Sequence, residues 1–362
     1  MSESKYHILA INPGSTSTKI AIYENGLQLF KETIDHPKSE TEKFLTVSDQ
    51  FEMRKDAIIN ALQRKNFNLK LLKAVVGRGG ILPPMKSGAY EVNQIMIDRL
   101  LHNPLVGHAS NLGALIAYEI AEPLGIKSYV YDPVTVDEYD DVARISGLPE
   151  FVRYSECHAL NSRAVAREIA RKLDKSYHDL NFIVAHLGGG ISTSLHQKGR
   201  MVDAIADDEG TFSPERAGRV PCRQLVELCF SGRYDKQSIL KKLRGQGGLF
   251  AYLGISDALE VEERIKNGDA DAYLIYSAMA YQVAKGIGEL ATVVNGEVDR
   301  IILTGSIAYS EMLTGWIKER VQFIASVEIV PGEHELEALA AGALRVVKGE
   351  ETAHQYVENN TK

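Results

Sequence analysis

Two segments of this sequence repeat one local pattern, and that repeat limits the possible folds more than any other feature. In each segment an apolar run typical of a buried strand breaks at a glycine turn and continues as a strand that carries hydroxyl side chains. The first segment covers residues 8–23 and the second covers residues 182–197. Ala10 of the first matches Ala185 of the second, 175 positions later. A period this long is too long for a solenoid and predicts two similarly folded domains.

The first segment is predicted to be a hairpin with a polar loop. Asn25-Gly26 follows its second strand, and this dipeptide is a strong hairpin signal because both turn residues need a positive φ. The glycine and hydroxyl residues 14–18 therefore lie between two antiparallel strands, where small residues let backbone N–H groups approach an anion. The predicted phosphate-binding residues are Asn12, Gly14, Ser15, Ser17 and Lys19.

The second segment places a run of glycines at the same turn, after an apolar run that ends near His186. This turn predicts a second phosphate loop, formed by Gly188, Gly189 and Gly190. A third glycine turn, Gly305-Ser306, follows the apolar residues 301–303. A strand that passes through a glycine turn into a helix N-terminus can bind an anion or a nucleotide, so these two residues are predicted to bind phosphate as well.

The composition sets further bounds. A chain of 362 residues is long enough for two domains of ~150 residues each, and 44% hydrophobic with 25% charged residues is ordinary for a globular protein. A formal net charge of −7 without a basic run argues against nucleic acid as a partner. No apolar run approaches the ~20 residues of a membrane span. The cysteines at 157, 222 and 229 form no zinc pattern, and such sparse use predicts a reducing cytoplasm.

Elsewhere strand and helix patterns alternate, which is typical of an α/β fold. Further strands are predicted at residues 27–30, 72–76 and 128–131. Helices are predicted at residues 51–65, 109–121 and 161–173, and a closing helix at residues 335–348.

Two motifs carry a resemblance to a known family. Residues 8–19 fit at every position the first signature of the acetate and butyrate kinase family, and residues 186–190, His-Leu-Gly-Gly-Gly, match its second signature. From about residue 6 to residue 347 the chain resembles this family, which lies within the superfamily of acetate and sugar kinases, heat-shock cognate proteins and actin. The resemblance implies an α/β fold of two duplicated ribonuclease H-like (actin-like ATPase) domains. It also implies that they flank a nucleotide cleft, with both glycine turns facing it.

The resemblance also implies the domain boundaries. The first domain would comprise residues 1–158 and the returning segment 335–362, because the closing helix of the family packs back on the first domain. The second domain, residues 159–334, would bind the nucleotide and form the contact of a homodimer or a higher homo-oligomer.

The resembled family implies a reversible kinase. It would transfer the γ-phosphoryl group of ATP, with Mg²⁺, directly to a short-chain carboxylic acid, giving ADP and an acyl phosphate. The chain length and motifs resemble the butyrate branch more than the acetate branch, so butyrate is the predicted acid, with isobutyrate, propionate or acetate as alternatives. A non-metabolic actin-like or chaperone-like ATPase is less favoured, because the compact chain shows no surplus segment for a peptide-binding appendage or for filament insertions.

Phosphoryl transfer to a carboxylate brings two anions together, so fixed cations on glycine-rich loops are expected at the site. Arg78 lies among glycines after a predicted strand, where the family has an active-site arginine. Arg216 matches the family's second arginine on the pattern Arg-small-Gly, and it is preferred over the nearby Arg219. The ring of His186 is expected to donate to the transferred phosphoryl group without forming a phosphohistidine.

The family implies several further roles. Asp132 matches a strand-end aspartate near the catalytic centre that helps to place Mg²⁺-bound water. Asn12 is expected to reach a phosphate or a metal-bound water. Glu333 or Glu335 completes the metal network, and both stay possible because a histidine separates glutamates that are adjacent in the acetate kinase form. His102 matches a family motif and is assigned a supporting role on the substrate side.

Overall fold

The computed structural model of the chain describes residues 4–358, which form twelve strands and twelve α-helices. The strands are β1 (His7–Pro13), β2 (Ser17–Glu24), β3 (Leu27–Asp35), β4 (Leu72–Arg78), β5 (Ala89–Glu91), β6 (Lys127–Tyr131), β7 (Asn181–Leu187), β8 (Ile191–Gln197), β9 (Arg200–Ala206), β10 (Arg300–Gly305), β11 (Val327–Pro331) and β12 (His354–Gln355). The helices are α1 (Lys38–Thr41), α2 (Phe51–Arg64), α3 (Gln94–Leu101), α4 (Asn111–Ala121), α5 (Ala159–Lys172), α6 (Cys222–Cys229), α7 (Lys236–Leu243), α8 (Gly248–Leu253), α9 (Ala258–Lys266), α10 (Ala270–Ala291), α11 (Glu311–Val321) and α12 (Glu335–Val347).

The chain divides into two compact units. The first unit comprises Met1–Asp137 and His334–Lys362, of which residues 1–3 and 359–362 lie outside the described part of the chain. The second unit comprises Glu138–Glu333.

A seven-stranded sheet forms the first unit, in the order β12-β5-β6-β4-β1-β2-β3. The strands β1, β2 and β3 form an antiparallel meander, while β4 lies parallel to β1 and β6 lies parallel to β4. The turn from β2 to β3 has Asn25 at φ 50° and Gly26 at φ 90°. These values confirm the predicted hairpin, because Asn and Gly adopt the left-handed backbone at little cost.

A five-stranded sheet forms the second unit, in the order β11-β10-β7-β8-β9. Here β7, β8 and β9 form the antiparallel meander, β10 lies parallel to β7, and β11 lies parallel to β10. This sheet therefore matches the first one strand by strand, with β7 in the place of β1, β10 in the place of β4 and β11 in the place of β6. The predicted duplication of a ribonuclease H-like α/β fold is confirmed.

Apolar strands explain why helices cover the sheets. In the first unit α2 and α4 share a buried core with β1 and β2, which includes Leu9, Ile20, Ile58 and Leu112. In the second unit α10 and α11 cover one face of the sheet and α5 covers the other. Burying each large aliphatic side chain stabilises the fold by about 1.5–3 kcal/mol. None of the helices found between residues 4 and 358 is long and apolar enough to cross a membrane.

Residues 138–158 run beside β9 of the second unit. The hydroxyl of Tyr139 donates to the carbonyl oxygen of Ala204 at 3.1 Å, and Arg153 donates to the same oxygen at 2.9 Å. Arg153 also pairs with Asp203 at 3.2 Å. The sequence assigns this segment to the first domain. Local patterns cannot reveal its partners, because they lie about 50 residues further along the chain.

The closing helix α12 packs against β1 and β4 of the first sheet. Gly342 faces the ring of Tyr131, where any Cβ would overlap the ring. The guanidinium of Arg345 lies 5.2 Å from the centroid of the same ring and pairs with Glu351 at 3.0 Å. These contacts fix the end of the chain to the first unit.

The structure shifts the predicted position of Arg78 slightly. The sequence places Arg78 in a glycine loop after a strand, but β4 continues through it, because Arg78 pairs with Tyr131 in the parallel ladder. Gly77 allows this continuation, since a Cβ there would overlap the backbone of Gly113 in α4.

The turn after β10 leads into a helix, as predicted, and the first helical turn that follows it is a 3₁₀-helix. Gly305, at φ 94°, bonds back to Gly332 and turns the chain before any α-helix begins. One turn of 3₁₀-helix follows at Ser306–Tyr309, and α11 starts only at Glu311. The predicted order of strand, glycine turn and helix is thus confirmed, with a 3₁₀-helix ahead of the α-helix.

Candidate active site

Three of the predicted residues lie where neighbouring strands of the first sheet end. Asn12 is near the carboxyl end of β1, Arg78 is the last residue of β4, and Asp132 follows β6. These strands are adjacent and parallel, so their carboxyl ends meet at one edge of the sheet. Such an edge is the usual place for a ligand in an open α/β sheet.

At this edge a third element joins Asn12 and Arg78. The Glu335 carboxylate, at the start of α12, accepts from the amide nitrogen of Asn12 and forms an ion pair with Arg78 at 3.1 Å. Arg78 also donates to the amide oxygen of Asn12 at 3.3 Å. Asn12 is buried, at 6% exposed, whereas the side chains of Arg78 and Glu335 are 31% and 14% exposed. A buried amide, a carboxylate and a guanidinium that fix each other are preorganised to meet an anion or a metal-bound water.

Asp132 is held in a sparsely populated conformation. Its φ is 40° and it is 2% exposed. Its carboxylate accepts from the N–H of Gly88 at 2.8 Å, and its own N–H donates to the Gly88 carbonyl at 3.2 Å. A buried aspartate with a left-handed backbone at a strand end is typical of a residue kept for function.

The hairpin loop places its hydroxyl residues at the surface. Ser15 is exposed and Ser17 is half-buried, while Gly14 closes the loop by donating its N–H to the Ser17 carbonyl at 2.7 Å. Lys19 lies opposite Asn12 in the antiparallel register of β1 and β2.

Two histidines of the first unit differ in their relation to Arg78: His108 is affected by its charge, and His102 is the one that the sequence predicted. His102 is exposed at the end of α3, and its N–H donates to Asp98. By contrast, His108 lies close enough to Arg78 for the guanidinium charge to act on its ring. Partial burial, and next the charge of Arg78, lower the pKa of His108. The sequence did not single out His108, because it lies in a loop without a motif.

In the second unit the structure brings His186, the glycine turn and Arg216 together. A Cβ at Gly188 would lie 3.2 Å from Nε2 of His186, and a Cβ at Gly190 would lie 2.7 Å from the guanidinium carbon of Arg216. Arg216 is fixed from its other side by Asp207, whose carboxylate pairs with it at 3.2 Å. Burial lowers the pKa of the Arg216 guanidinium, and the acidic residues around it oppose that shift. The Arg216 guanidinium thus lies between Asp207 and the glycine turn at Gly190.

A glycine-rich segment supports the Arg216 loop. The N–H groups of Gly245 and Gly247 donate to the Glu215 carbonyl at 2.8 and 3.0 Å. Any Cβ at Gly248 would overlap the carbonyl oxygen of Ser213, and Gly248 has φ 60°. The glycines therefore allow two backbones to pack closely, which positions Arg216.

His158 is a site residue that the sequence did not reveal. Its ring stacks on the ring of His186, with the centroids 3.9 Å apart and the planes 12° apart. Its Nδ1 lies 2.8 Å from the hydroxyl of Ser192. His158 directly precedes α5, and a single histidine before a helix gives no local signal.

The contact with Asn161, in the assigned orientation of its amide, favours one tautomer of His186. The amide nitrogen of Asn161 lies 3.0 Å from Nδ1 of His186 and 3.2 Å from the hydroxyl of Thr304. An amide N–H donated to Nδ1 leaves the ring proton on Nε2, which faces Gly188. His186 can therefore donate a hydrogen bond at the glycine turn.

The two glycine turns of the second unit, at Gly189 and at Ser306, line the same cavity of about 550 Å³. Its wall includes the apolar Leu259 and Ile307 and the polar Asp257. The remaining lining residues are Pro214, Glu215, Ser256, Ala258, Glu262, Tyr309 and Ser310. A mostly apolar cavity with a few polar groups is typical of a small-molecule site.

Glu262 is a second site residue that the sequence missed. It is 9% exposed, and its carboxylate accepts from the hydroxyl of Tyr276 at 3.1 Å and from the hydroxyl of Ser310. A glutamate on the charged helix α9 looks like an ordinary surface residue in the sequence, so only its burial marks it.

The two glutamates that the sequence left open lie in different units. Glu335 belongs to the first unit and contacts Asn12 and Arg78, whereas Glu333 follows β11 in the second unit. Among residues 4–358, no group of three or more His, Cys, Asp or Glu side chains is arranged to hold a metal ion.

The repeated sheets and glycine turns define the fold class of the actin-like ATPases and of the acetate and sugar kinases. Two solved structures share it across almost the whole chain. Acetate kinase from Porphyromonas gingivalis has a TM-score of 0.75 at 20% identity and covers 94% of this chain and 99% of its own. A propionate kinase from Francisella tularensis has a TM-score of 0.72 at 18% identity and covers 92% and 98%.

Sequence comparison adds the family. The pattern of the acetokinase family matches residues 149–338. Butyrate kinase 2 from Clostridium acetobutylicum is 50% identical over 354 residues, which are 97% of this chain and 99% of that protein. The chain therefore belongs to the acetokinase family, which confirms the resemblance carried by residues 8–19 and 186–190.

Proposed function

We propose that this chain phosphorylates butyrate. The γ-phosphoryl group of ATP passes to a carboxylate oxygen of the acid, which gives butyryl phosphate and ADP, and the reaction is reversible. The observation that carries the proposal is the cavity lined by Gly189 and Ser306, together with the Arg216 guanidinium, which lies against the adjacent Gly190. A cavity, a glycine turn and a fixed cation together suit a nucleoside with a phosphate chain. The relative named Butyrate kinase 2 supports the choice of acid.

The second unit would bind the nucleotide. The apolar Leu259 and Ile307 suit the base, and the glycine turn offers N–H groups to the phosphates. Arg216 would neutralise charge on the phosphate chain, and Nε2–H of His186 would donate to the transferred phosphoryl group. The stacked ring of His158 keeps the plane of His186 fixed.

The first unit would bind the acid. Arg78 would attract its carboxylate, and Asn12 would orient it by hydrogen bonding. The ion pair between Arg78 and Glu335, at 3.1 Å, would hold the guanidinium in the orientation that meets the acid. Because the carboxylate is itself the nucleophile, the transfer needs no general base and no covalent enzyme intermediate.

Mg²⁺ suits the oxygen atoms at this edge. This ion prefers hard oxygen ligands and keeps several waters, so one or two protein oxygens besides the nucleotide phosphates suffice. Asn12 and Glu335 would hold it, partly through water, and Asp132 would place a metal-bound water. The bound ion would neutralise charge on the nucleotide phosphates.

A coupled assay of ADP release with acids of two to five carbons tests the proposal. Each buried CH₂ adds about 0.8 kcal/mol of binding, and one methylene in an apolar pocket discriminates about 10- to 200-fold. We expect the highest kcat/KM with butyrate, and lower but measurable values with isobutyrate, propionate and valerate. A preference for another acid would keep the kinase and remove butyrate. ADP release that does not depend on any acid would indicate an actin-like or chaperone-like ATPase.

We also infer that the chain forms a homodimer or a higher homo-oligomer through the second unit. Tyr273, Leu274 and Tyr281 of α10 are 53%, 61% and 52% exposed. Exposed apolar side chains on a long helix whose opposite face packs into the core are typical of an interaction surface. Light scattering should give at least twice the 40.0 kDa of one chain. A monomer at micromolar concentration would contradict this inference.

The proposed compartment is the cytoplasm. Cys157 is buried, whereas Cys222 and Cys229 are exposed free thiols. Exposed free thiols suit a reducing compartment. Fractionation of the native cells should recover the activity with soluble cytoplasmic enzymes.

A further inference from the structure

The loop between β1 and β2 is held in one orientation from its protein side. Four consecutive carbonyl oxygens, those of residues 14–17, each accept a hydrogen bond. Arg54 donates from Nη1 to the carbonyl of Gly14 at 2.8 Å and from Nη2 to that of Ser15 at 3.1 Å. The N–H of His36 donates to the carbonyl of Thr16 at 2.8 Å, and the N–H of Gly14 donates to that of Ser17 at 2.7 Å.

This arrangement leaves two consecutive N–H groups on the outer side of the loop. The N–H groups of Ser15 and Thr16 have no acceptor among residues 4–358, and both residues are exposed. Peptides whose carbonyls all turn inward present their N–H groups outward, and successive outward N–H groups form a site for an anion.

Arg54 is unusual for a charged residue. It projects from α2, is 1% exposed and is the bulkiest fully buried side chain within residues 4–358. Its remaining donors bond to Gln50 Oε1 at 2.9 and 3.1 Å and to the hydroxyl of Thr18 at 3.2 Å. Every one of these acceptors is neutral, and no carboxylate within the described residues pairs with Arg54. A buried charge without a partner of opposite sign is costly to keep, so the fold retains it against its stability.

The groups that hydrogen-bond to Arg54 carry no negative charge; the carboxylates that act on this region, Asp35 and Glu40, act on His36 and form no ion pair with Arg54 within the described residues. Because Thr18 accepts from Arg54, its own hydroxyl proton is free to go to Nε2 of His36, 2.8 Å away. Burial, and next the charge of Arg54, lower the pKa of His36, so this ring stays neutral. The direct partners of the Arg54 guanidinium are therefore all neutral groups.

We propose that Arg54 is the positioning residue of the first phosphate loop, and that the opposite charge it lacks is supplied by a phosphoryl group bound at the N–H groups of Ser15 and Thr16. The guanidinium turns the Gly14 and Ser15 carbonyls inward, which aims the N–H groups outward. Its charge reaches the anion through a poorly screened interior. This inference rests on the proposed function, because the phosphoryl group is that of the nucleotide.

The test compares the binding of ATP with the binding of adenosine. Wild type, Arg54→Met, Arg54→Lys and Gln50→Met are titrated with each ligand by calorimetry, and kcat and KM for ATP are measured with butyrate. Arg64→Met is the matched control, because Arg64 lies on the same helix but pairs with Glu32 at the surface. If Arg54 had a purely structural role, its loss would lower the affinities for ATP and adenosine alike. A loss confined to ATP would indicate an effect on the phosphoryl groups, which adenosine lacks.

We expect Arg54→Met to lower the affinity for ATP by about tenfold or more and to leave the affinity for adenosine unchanged. Hydrogen bonds to a charged group contribute about that much. Arg54→Lys keeps the charge and should recover part of the ATP affinity. Gln50→Met should give an intermediate loss because it frees the guanidinium, and Arg64→Met should match wild type. If Arg54→Met does not fold, Arg54→Lys and Gln50→Met decide the matter.

Two outcomes would overturn the role of Arg54: an unchanged ATP affinity, or an equal loss of ATP and adenosine. A wild-type chain that binds ATP but phosphorylates no acid would instead refute the proposed function. The comparison of ATP with adenosine binding would still test the positioning role of Arg54. A wild-type chain that binds no ATP would overturn both.

Discussion

The guanidinium of Arg216 occupies the space that a side chain on Gly190 would fill: a Cβ there would lie 2.7 Å from the guanidinium carbon. The preceding residue differs, since a Cβ at Gly189 would meet nothing within 4 Å. Gly189 instead lines the cavity. Two adjacent glycines of one turn thus have different surroundings: Gly190 faces the Arg216 guanidinium and Gly189 faces the cavity.

The first prediction separates these two glycines. Gly190→Ala should displace Arg216 and lower kcat by about 10²-fold, which corresponds to about 2.7 kcal/mol of lost electrostatic stabilisation. Gly189→Ala should raise KM for ATP with a smaller effect on kcat, because its methyl group enters the cavity. Neither position has a positive φ, so alanine is compatible with both backbones. Steady-state kinetics measure both variants, and equal kinetic effects would contradict the assignment.

The second prediction concerns the choice between two arginines. Arg216→Ala should lower kcat by about 10²-fold or more. Arg219→Ala should have much less effect, because Arg219 is exposed and pairs with Glu289 at 3.3 Å, a contact worth little in solvent. Both variants are assayed with butyrate and ATP. A severe defect in Arg219→Ala beside a benign Arg216→Ala would place the catalytic arginine one turn away from our assignment.

The third prediction concerns Arg78 and the two candidate glutamates. Arg78→Ala and Glu335→Gln should each lower kcat by about 10²-fold, because the first removes the cation and the second removes the charge that aims it. Glu335→Gln should also raise the Mg²⁺ concentration needed for half-maximal activity. Glu333→Gln serves as the matched comparison and should cause a smaller loss. A larger loss in Glu333→Gln than in Glu335→Gln would assign the metal network to Glu333.

The fourth prediction concerns the stacked histidines. His186→Ala should lower kcat by about 10²-fold with little change in ATP affinity, because its Nε2–H is proposed to act on the transferred group. His158→Ala should cause part of the same loss by freeing the ring of His186. Transfer from ATP with a chiral γ-phosphoryl group should invert its configuration. Net retention would require a phosphorylated enzyme and would overturn the role given to His186.

The fifth prediction follows from a buried histidine away from the site. Burial, and then the charges of Arg163 and Arg167, lower the pKa of His196 to about 3. The unfolded chain therefore binds more protons than the folded one between pH about 6.5 and about 3, so stability falls as the pH falls through this window. At pH 5 the loss is about 2 kcal/mol.

Thermal unfolding at pH 7.5 and pH 5 measures this effect. The midpoint of wild type should fall on acidification, and His196→Gln should flatten the dependence even if it lowers both midpoints. His102→Gln is the matched control, since that side chain is exposed, and it should keep the wild-type dependence. A dependence that is unchanged in His196→Gln would contradict the prediction.

The repeated motif allowed much of the fold to be predicted. Residues 8–23 and 182–197 indicated two hairpins with glycine turns, and the Asn25-Gly26 turn has the backbone that its residues require. The helix α2 and the closing helix α12 begin at the predicted residues. These features depend on local chemistry: strand periodicity, turn residues and helix spacing are properties of neighbours along the chain.

The candidate site was predictable only where a motif marked it. His158 stacks on His186, and Arg54 holds the loop from about 40 residues away, yet neither has a local pattern that identifies it. Glu262 looks like a surface glutamate in the sequence, but the hydroxyls of Tyr276 and Ser310 donate to its buried carboxylate. Each of these roles comes from a partner that is distant in sequence.

The sequence by itself therefore determined the duplicated architecture and the residues at the glycine turns, because repeats, turns and signatures are encoded locally. Only the tertiary structure decided which side chains meet. It joined Asn12 and Arg78 to Glu335, and it set Arg216 against Gly190. It also buried Arg54 beneath the loop, where its hydrogen-bond partners are neutral groups. Burial and charge pairing depend on elements that meet only after folding, so no reading of neighbours along the chain can supply them.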